Sequence, residues 1–244
     1  MELLNVTGLV KSYFGRRVVD DVSFSVNQAE VVGLLGKNGA GKTTTFKMAM
    51  GMIPREAGTI VFEGDDISNL PMYQRARLGM GYLCQEPSIF TRLTVKENLL
   101  AILETMHLRK TEREGVAAEL MEDFGLTKLQ DHLARTLSGG ERRRLEIARA
   151  LVSKPSLILL DEPFTGVDPI AIFDIQCFIK NLKQRGIGVL LTDHNVHATL
   201  SVVDRAYIIN EGKVFRHGTS QELINDREVK RVYLGATFRG DEFD

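Results

Sequence analysis

The run Gly36-Lys37-Asn38-Gly39-Ala40-Gly41-Lys42-Thr43 gathers three glycines, two lysines and a hydroxyl into eight residues. Glycines let backbone amides turn toward an anion, Lys42 can neutralise phosphate charge, and the Thr43 hydroxyl can hold magnesium. Val31-Val32-Gly33-Leu34-Leu35 before it reads as a buried strand, and the stretch from Thr44 onward suits a helix. The loop would therefore bring its amides and a helix N-terminus to the same phosphates. The expected chemistry is binding and hydrolysis of ATP with magnesium. A second pair, Asp161-Glu162, ends the apolar run Leu157-Ile158-Leu159-Leu160. Strand alternation predicts that the two carboxylates point to opposite sides, Asp161 toward the metal and Glu162 toward the water that attacks the γ-phosphate.

Two further polar residues follow apolar runs. Gln85 comes directly after Met80 to Cys84, and His194 follows Val189 to Leu191 and its Thr192-Asp193 extension. Ligands of open parallel sheets bind beyond the carboxyl ends of the strands, so these groups should converge on the nucleotide. Gln85 is expected beside Thr43 and Asp161 at the metal, and beside Glu162 and His194 in catalysis. Leu137-Ser138-Gly139-Gly140-Glu141 has the spacing of a capping box, with Ser138 and Glu141 satisfying each other's backbone amides. A cap does not account for Gly139 and Gly140, which weaken the helix they begin yet bare its amides to an anion. One nucleotide needs a single helix start of this kind. The second is expected to meet the nucleotide of another copy, giving a head-to-tail homodimer with two composite ATP sites.

The elements that must hold these groups read as one α/β unit. Short β-branched runs, Leu3 to Val10 and Val18 to Val26, predict an N-terminal antiparallel layer, whereas the unbroken apolar runs predict a parallel core sheet. Apolar residues at helical spacing in Val95 to Leu103 and Val116 to Phe124 predict an inserted helical lobe over about residues 87–150, flanked by a core lobe of 1–86 and 151–244. Asn210-Glu211-Gly212-Lys213 predicts a hairpin turn, a helix is expected from Gln221 to Tyr233, and Arg239 to Asp244 reads as an acidic tail.

With 31 basic and 32 acidic residues the net charge is -1, which gives no global pull toward nucleic acid or anionic lipid. Two distant cysteines, Cys84 and Cys177, suggest unpaired thiols in a reducing compartment, the cytosol fitting best. No apolar stretch approaches the roughly 20 residues of a membrane-spanning helix.

Gly36 to Thr43, Gln85, Leu137 to Glu141, Leu157 to Glu162, Gly166-Val167-Asp168 and His194 together resemble, in order, the full motif set of ATP-binding-cassette ATPases. The resemblance covers essentially the whole chain. It implies that Ser138, Gly139, Gly140 and Glu141 meet the partner copy's nucleotide, that Asp168 helps link the two sites, that His194 senses the γ-phosphate, and that Tyr13 stacks on adenine. Arg75-Ala76-Arg77, Gln85-Glu86-Pro87-Ser88-Ile89-Phe90, Asp161-Glu162-Pro163-Phe164, Val167-Asp168-Pro169-Ile170, Thr192-Asp193-His194-Asn195-Val196 and Lys230-Arg231-Val232-Tyr233-Leu234-Gly235 resemble more narrowly the lipopolysaccharide-exporter branch. That likeness implies two transmembrane permease subunits contacted through the Phe90 region, and a place on the cytoplasmic face of a bacterial inner membrane. An importer cassette of the branched-chain amino acid type would share the catalytic motifs, and a soluble non-transport ATPase is the rival of another class. Three positions depart from the usual pattern. Lys37 and Cys84 stand where relatives usually have proline, and Glu141 stands where the wider family commonly has glutamine.

Overall fold

The computed structural model describes residues 1–84, 88–166 and 169–235. Strands β1 (Glu2–Tyr13) and β2 (Arg16–Asn27) form an antiparallel hairpin in which Leu4 pairs with Val26, Val6 with Phe24 and Leu9 with Val22. All six side chains are buried, the inward half of the alternation that a one-sided sheet requires. β3 (Val31–Gly36) is buried at every position, as a strand covered on both faces must be. The chain continues through α1 (Lys42–Met50), β4 (Ala57–Phe62), β5 (Asp65–Asp66), α2 (Met72–Arg77) and β6 (Met80–Leu83). Then come α3 (Val95–Leu103), α4 (Lys110–Asp123), α5 (Gly139–Leu151), β7 (Leu157–Asp161), α6 (Pro169–Gln184), β8 (Gly188–Thr192) and α7 (Val196–Leu200). β9 (Arg205–Asn210), β10 (Lys213–Thr219), α8 (Ser220–Asn225) and α9 (Arg227–Val229) follow.

The strands make two sheets. One has the order β2-β1-β4-β5 and is antiparallel throughout. The other has the order β10-β9-β3-β8-β7-β6, with β9, β3, β8 and β7 parallel and β10 antiparallel to β9. The architecture is thus the expected α/β one, with a parallel core and an N-terminal antiparallel layer. Leu34, Phe46, Phe62, Met48 and Leu159 share one core cluster, each such side chain contributing about 1.5–3 kcal/mol by leaving water. Contacts divide the chain into two compact units, Met1–Tyr82 together with the chain from Ser156 onward, and Leu83–Pro155.

Several elements differ from expectation. β4 has little sequence alternation and exists through its pairing with β1, Val6 opposite Ile60. α4 begins well before Val116, because the Glu112 carboxylate accepts the Arg109 backbone N–H at 2.7 Å and starts the helix there. The C-terminal helix is broken at Asp226, whose carboxylate accepts from Glu228 N at 2.7 Å and Val229 N at 3.0 Å. Asp226 therefore caps a new helix instead of continuing the old one. After it, Lys230–Leu234 widens into a π-helical turn closed by Gly235 N–H donating to Lys230 O at 2.8 Å. The tail from Arg239 lies outside the described residues.

In the second unit, Thr94 and Glu97 form a reciprocal capping box at the start of α3. Asn98, fully buried, accepts Phe90 N–H at 2.9 Å and donates to the carbonyls of Phe90 at 3.0 Å and Thr94 at 2.9 Å. It thereby fixes the turn that presents Phe90, whose ring is 43% exposed under the Arg149 guanidinium at 4.4 Å.

Candidate active site

The loop between β3 and α1 is shaped by what lies beneath it. Gly36 has φ 150°, and a Cβ there would fall 2.1 Å from the Ile209 carbonyl oxygen. Gly41 has φ 105°, and its Cβ would fall 2.5 Å from Val18 O. Only glycine fits either position. Within this cradle the Lys42 ammonium is buried, donating to Gly36 O at 2.6 Å and Lys37 O at 3.0 Å. Burial holds its pKa below the usual lysine value against the opposing pull of Glu162 and Asp193. Thr43 and Thr44 follow in the first turn of α1, and Lys37, Asn38 and Gly39 form the exposed rim of the loop beside the buried Ala40.

The carboxylates stand at the ends of β7 and β8. β7 stops at Asp161, and Glu162 leaves the ladder at φ 48° with its N–H donating to Thr192 O at 2.7 Å. The expectation that strand alternation orients the Asp161–Glu162 pair is corrected here, since a left-handed turn and not the pleat aims Glu162. Burial, reinforced by the Glu162 charge, pushes the Asp161 carboxyl above its ordinary range, although Tyr82 Oη donates to it at 3.4 Å. Asp193 is fully buried, and burial raises its carboxyl too, against the N–H groups of Phe164 and Asn195, each 2.7 Å away. The Asp161, Glu162 and Asp193 carboxyls, faced by Lys42 and Lys47, offer oxygen donors of the kind magnesium takes, so the donor set fits that ion.

Thr165 joins the two reactive side chains. Its hydroxyl donates to Glu162 Oε2 at 3.0 Å and lies 3.2 Å from His194 Nδ1. A hydroxyl has one proton, and this one is given to the carboxylate, so His194 is assigned the tautomer with its proton on Nδ1. Nδ1 lies 3.6 Å from Glu162 Oε2 and 3.8 Å from Asp193 Oδ1.

The structure thus brings together Gly36–Thr44, Asp161, Glu162 and His194 in the first unit. Gln85 and Asp168 lie outside the described residues. Tyr13 ends β1, is 41% exposed and carries Lys11 Nζ 5.5 Å above its ring. Ser138, Gly139, Gly140 and Glu141 open α5 in the second unit, where Ser138 N–H donates to Glu141 Oε2 at 2.8 Å and Glu141 N–H to Ser138 Oγ at 3.3 Å. Thr165, Asp193 and Tyr82 were not anticipated as site residues. Asp193 alone had a sequence signal, an acid directly before the histidine at a strand end.

This site and fold match known proteins. The family described as ABC transporter matches residues 19–165, and the chain belongs to that family as one of its ATPases. It is 56% identical over 240 residues to the lipopolysaccharide export system ATP-binding protein LptB of Escherichia coli K12, covering 98% of this chain and 100% of that one. It is 55% identical over 240 residues to the LptB of Haemophilus influenzae, with the same coverage. Among solved structures, the ADP conformation of MJ1267, an ATP-binding cassette of an ABC transporter, superposes with a TM-score of 0.86 at 29% identity, covering 96% of this chain and 99% of that one. A nucleotide-free cassette gives a TM-score of 0.85 at 29% identity, covering 96% and 100%.

Proposed function

We propose that this ATPase powers the extraction of lipopolysaccharide from a bacterial inner membrane. The observation that carries this reading is 56% identity along the whole of the Escherichia coli LptB chain. Two copies act head to tail, each triphosphate lying between the Gly36–Thr43 loop of one and the Ser138–Gly140 helix start of the other. The dimer works on two transmembrane permease subunits, docked through the Phe90 region, and is held peripherally at the cytoplasmic face. Among the described residues no helix is long and apolar enough to cross a membrane.

Magnesium, held by Thr43, Asp161 and Gln85, would supply positive charge to the β- and γ-phosphate oxygens. Lys42 leaves the carbonyls of Gly36 and Lys37 for the phosphates. Glu162 orients and deprotonates the attacking water, with the Thr165 hydroxyl fixing the carboxylate, and His194 reads the presence of the γ-phosphate. Tyr13 stacks on adenine, and Asp168 couples the two composite sites. Because only the closed dimer completes both sites, ATP favours closure and hydrolysis releases it.

The test is to purify the protein from detergent-solubilised membranes and identify what accompanies it. Recovery of two permease subunits, in a complex whose ATPase activity is stimulated by lipopolysaccharide, supports the assignment. Recovery with amino acid permeases, or with no membrane protein at all, overturns it.

A further inference from the structure

Tyr82 serves no step described so far, yet it stands among the groups that would hold magnesium. It lies on β6, the strand beside β7 in the core sheet. Its hydroxyl donates to Asp161 Oδ2 at 3.4 Å, and its ring meets that of the fully buried Phe46 with centroids 6.2 Å apart and planes at 54°. Phe46 follows Thr43 by three residues on α1, close enough along a helix to share its side. Gln85 comes three residues after Tyr82. One side chain therefore meets the helix of one proposed magnesium ligand and the carboxylate of a second, and its strand leads toward the third.

The terminal torsion of an aspartate is broad, so a carboxylate that no donor holds turns readily. Carboxylates that bind metals are accordingly oriented by hydrogen-bond partners behind them. Asp161 is buried, and the Tyr82 hydroxyl is such a donor, carried on a ring whose own place is set by its tilted contact with Phe46. We propose that Tyr82 is a positioning residue for magnesium, its hydroxyl orienting the Asp161 carboxylate and its ring holding that carboxylate in register with the helix that carries Thr43. The proposal rests on the reading that Thr43 and Asp161 hold the ion.

Tyr82→Phe keeps the ring and removes the hydroxyl. ATP affinity is measured in a Glu162→Gln background, so that nucleotide is not consumed, once with magnesium and once with a chelator; the ratio is the gain that the ion gives. Tyr82→Phe should leave the affinity in chelator unchanged and lower the gain about tenfold, the smaller end of what losing a partner behind a metal ligand costs, because a 3.4 Å bond is long. In the hydrolysing chain the magnesium concentration for half-maximal turnover should rise by more than kcat falls. An undiminished gain overturns the proposal, and so does an equal loss of affinity with and without magnesium, which marks a merely structural hydroxyl. Asp161→Asn in the same background separates the two ways of failing. If it leaves the gain intact, the magnesium reading falls together with the proposal; if it abolishes the gain while Tyr82→Phe keeps it, the proposal alone falls.

Discussion

Oε2 of Glu162 and Nδ1 of His194 stand 3.6 Å apart, and the Thr165 hydroxyl is within hydrogen-bonding distance of both. A carboxylate fixed in this way is ready to receive a proton from water, and its orientation depends on a side chain that need not touch ATP. Glu162→Gln should retain ATP binding, lose turnover by about 10²–10⁴-fold and accumulate as an ATP-dependent dimer. Thr165→Val, which keeps the shape and deletes the hydroxyl, should lower kcat by roughly tenfold. Phosphate release and size-exclusion chromatography measure both. Normal turnover in Glu162→Gln would remove that residue from its role.

Asp161 links the site to pH. Its carboxyl is raised above 3.8, first by burial and then by Glu162. The native state therefore keeps that proton to higher pH than the unfolded chain does. Stability is lost as pH climbs from the unfolded value through the raised native one. Asp161→Asn removes this loss, so the nucleotide-free variant should equal or exceed the unaltered chain in melting temperature at pH 7 while losing magnesium-dependent turnover. Thermal unfolding at pH 4 and pH 7 tests it; a variant markedly less stable at pH 7 contradicts the account.

A Cβ added at Gly140 would meet nothing within 4 Å. Alanine there should strengthen α5 by about 1 kcal/mol and raise the melting temperature by about 2–4 °C. The same methyl would intrude where the partner copy's triphosphate is proposed to lie. Gly140→Ala should therefore be a more stable protein with ATPase activity reduced at least about tenfold, the cost of misplacing a phosphate contact. Full activity in a stabilised variant would argue against the composite site.

The Arg75 guanidinium, 2% exposed, donates to the carbonyls of Leu70 at 2.8 Å, Met48 at 3.0 Å, Ala49 at 2.6 Å and Ser68 at 3.2 Å. Two of these belong to the last turn of α1, so the helix that starts at the phosphate loop is capped at its far end by a residue of α2. Lysine cannot reproduce this planar fork. Arg75→Lys should cost on the order of 3 kcal/mol, read by chemical denaturation, because several buried acceptors lose their donors. A loss below measurement error would show that water replaces the guanidinium without penalty.

The legible parts of the molecule were those whose causes are local. Val31 to Leu35, Leu157 to Leu160 and Val189 to Leu191 announce buried strands by composition, and the glycines and lysine of the loop announce an anion site. The reasons that Gly36 and Gly41 must be glycine are not local, since they lie in Ile209 O and Val18 O. Thr59-Ile60-Val61-Phe62 carries the β-branched and aromatic composition of a strand, but its place beside β1 comes only from the pairing. The link from Glu162 through Thr165 to His194 was invisible for the same reason, because it joins the chain after β7 to the chain after β8. Asp226 could have been read as a helix start, but the apolar periodicity across it favoured one continuous helix.

The phosphate loop holds its own lysine. Lys42 already has two oxygen partners in Gly36 and Lys37, so an arriving nucleotide is a competitor for the ammonium and not its first suitor. Measured affinity is then a difference between two sets of contacts, and a short or poorly placed phosphate chain gains little from the exchange. A nucleotide that draws the ammonium away must replace the two oxygens it gives up.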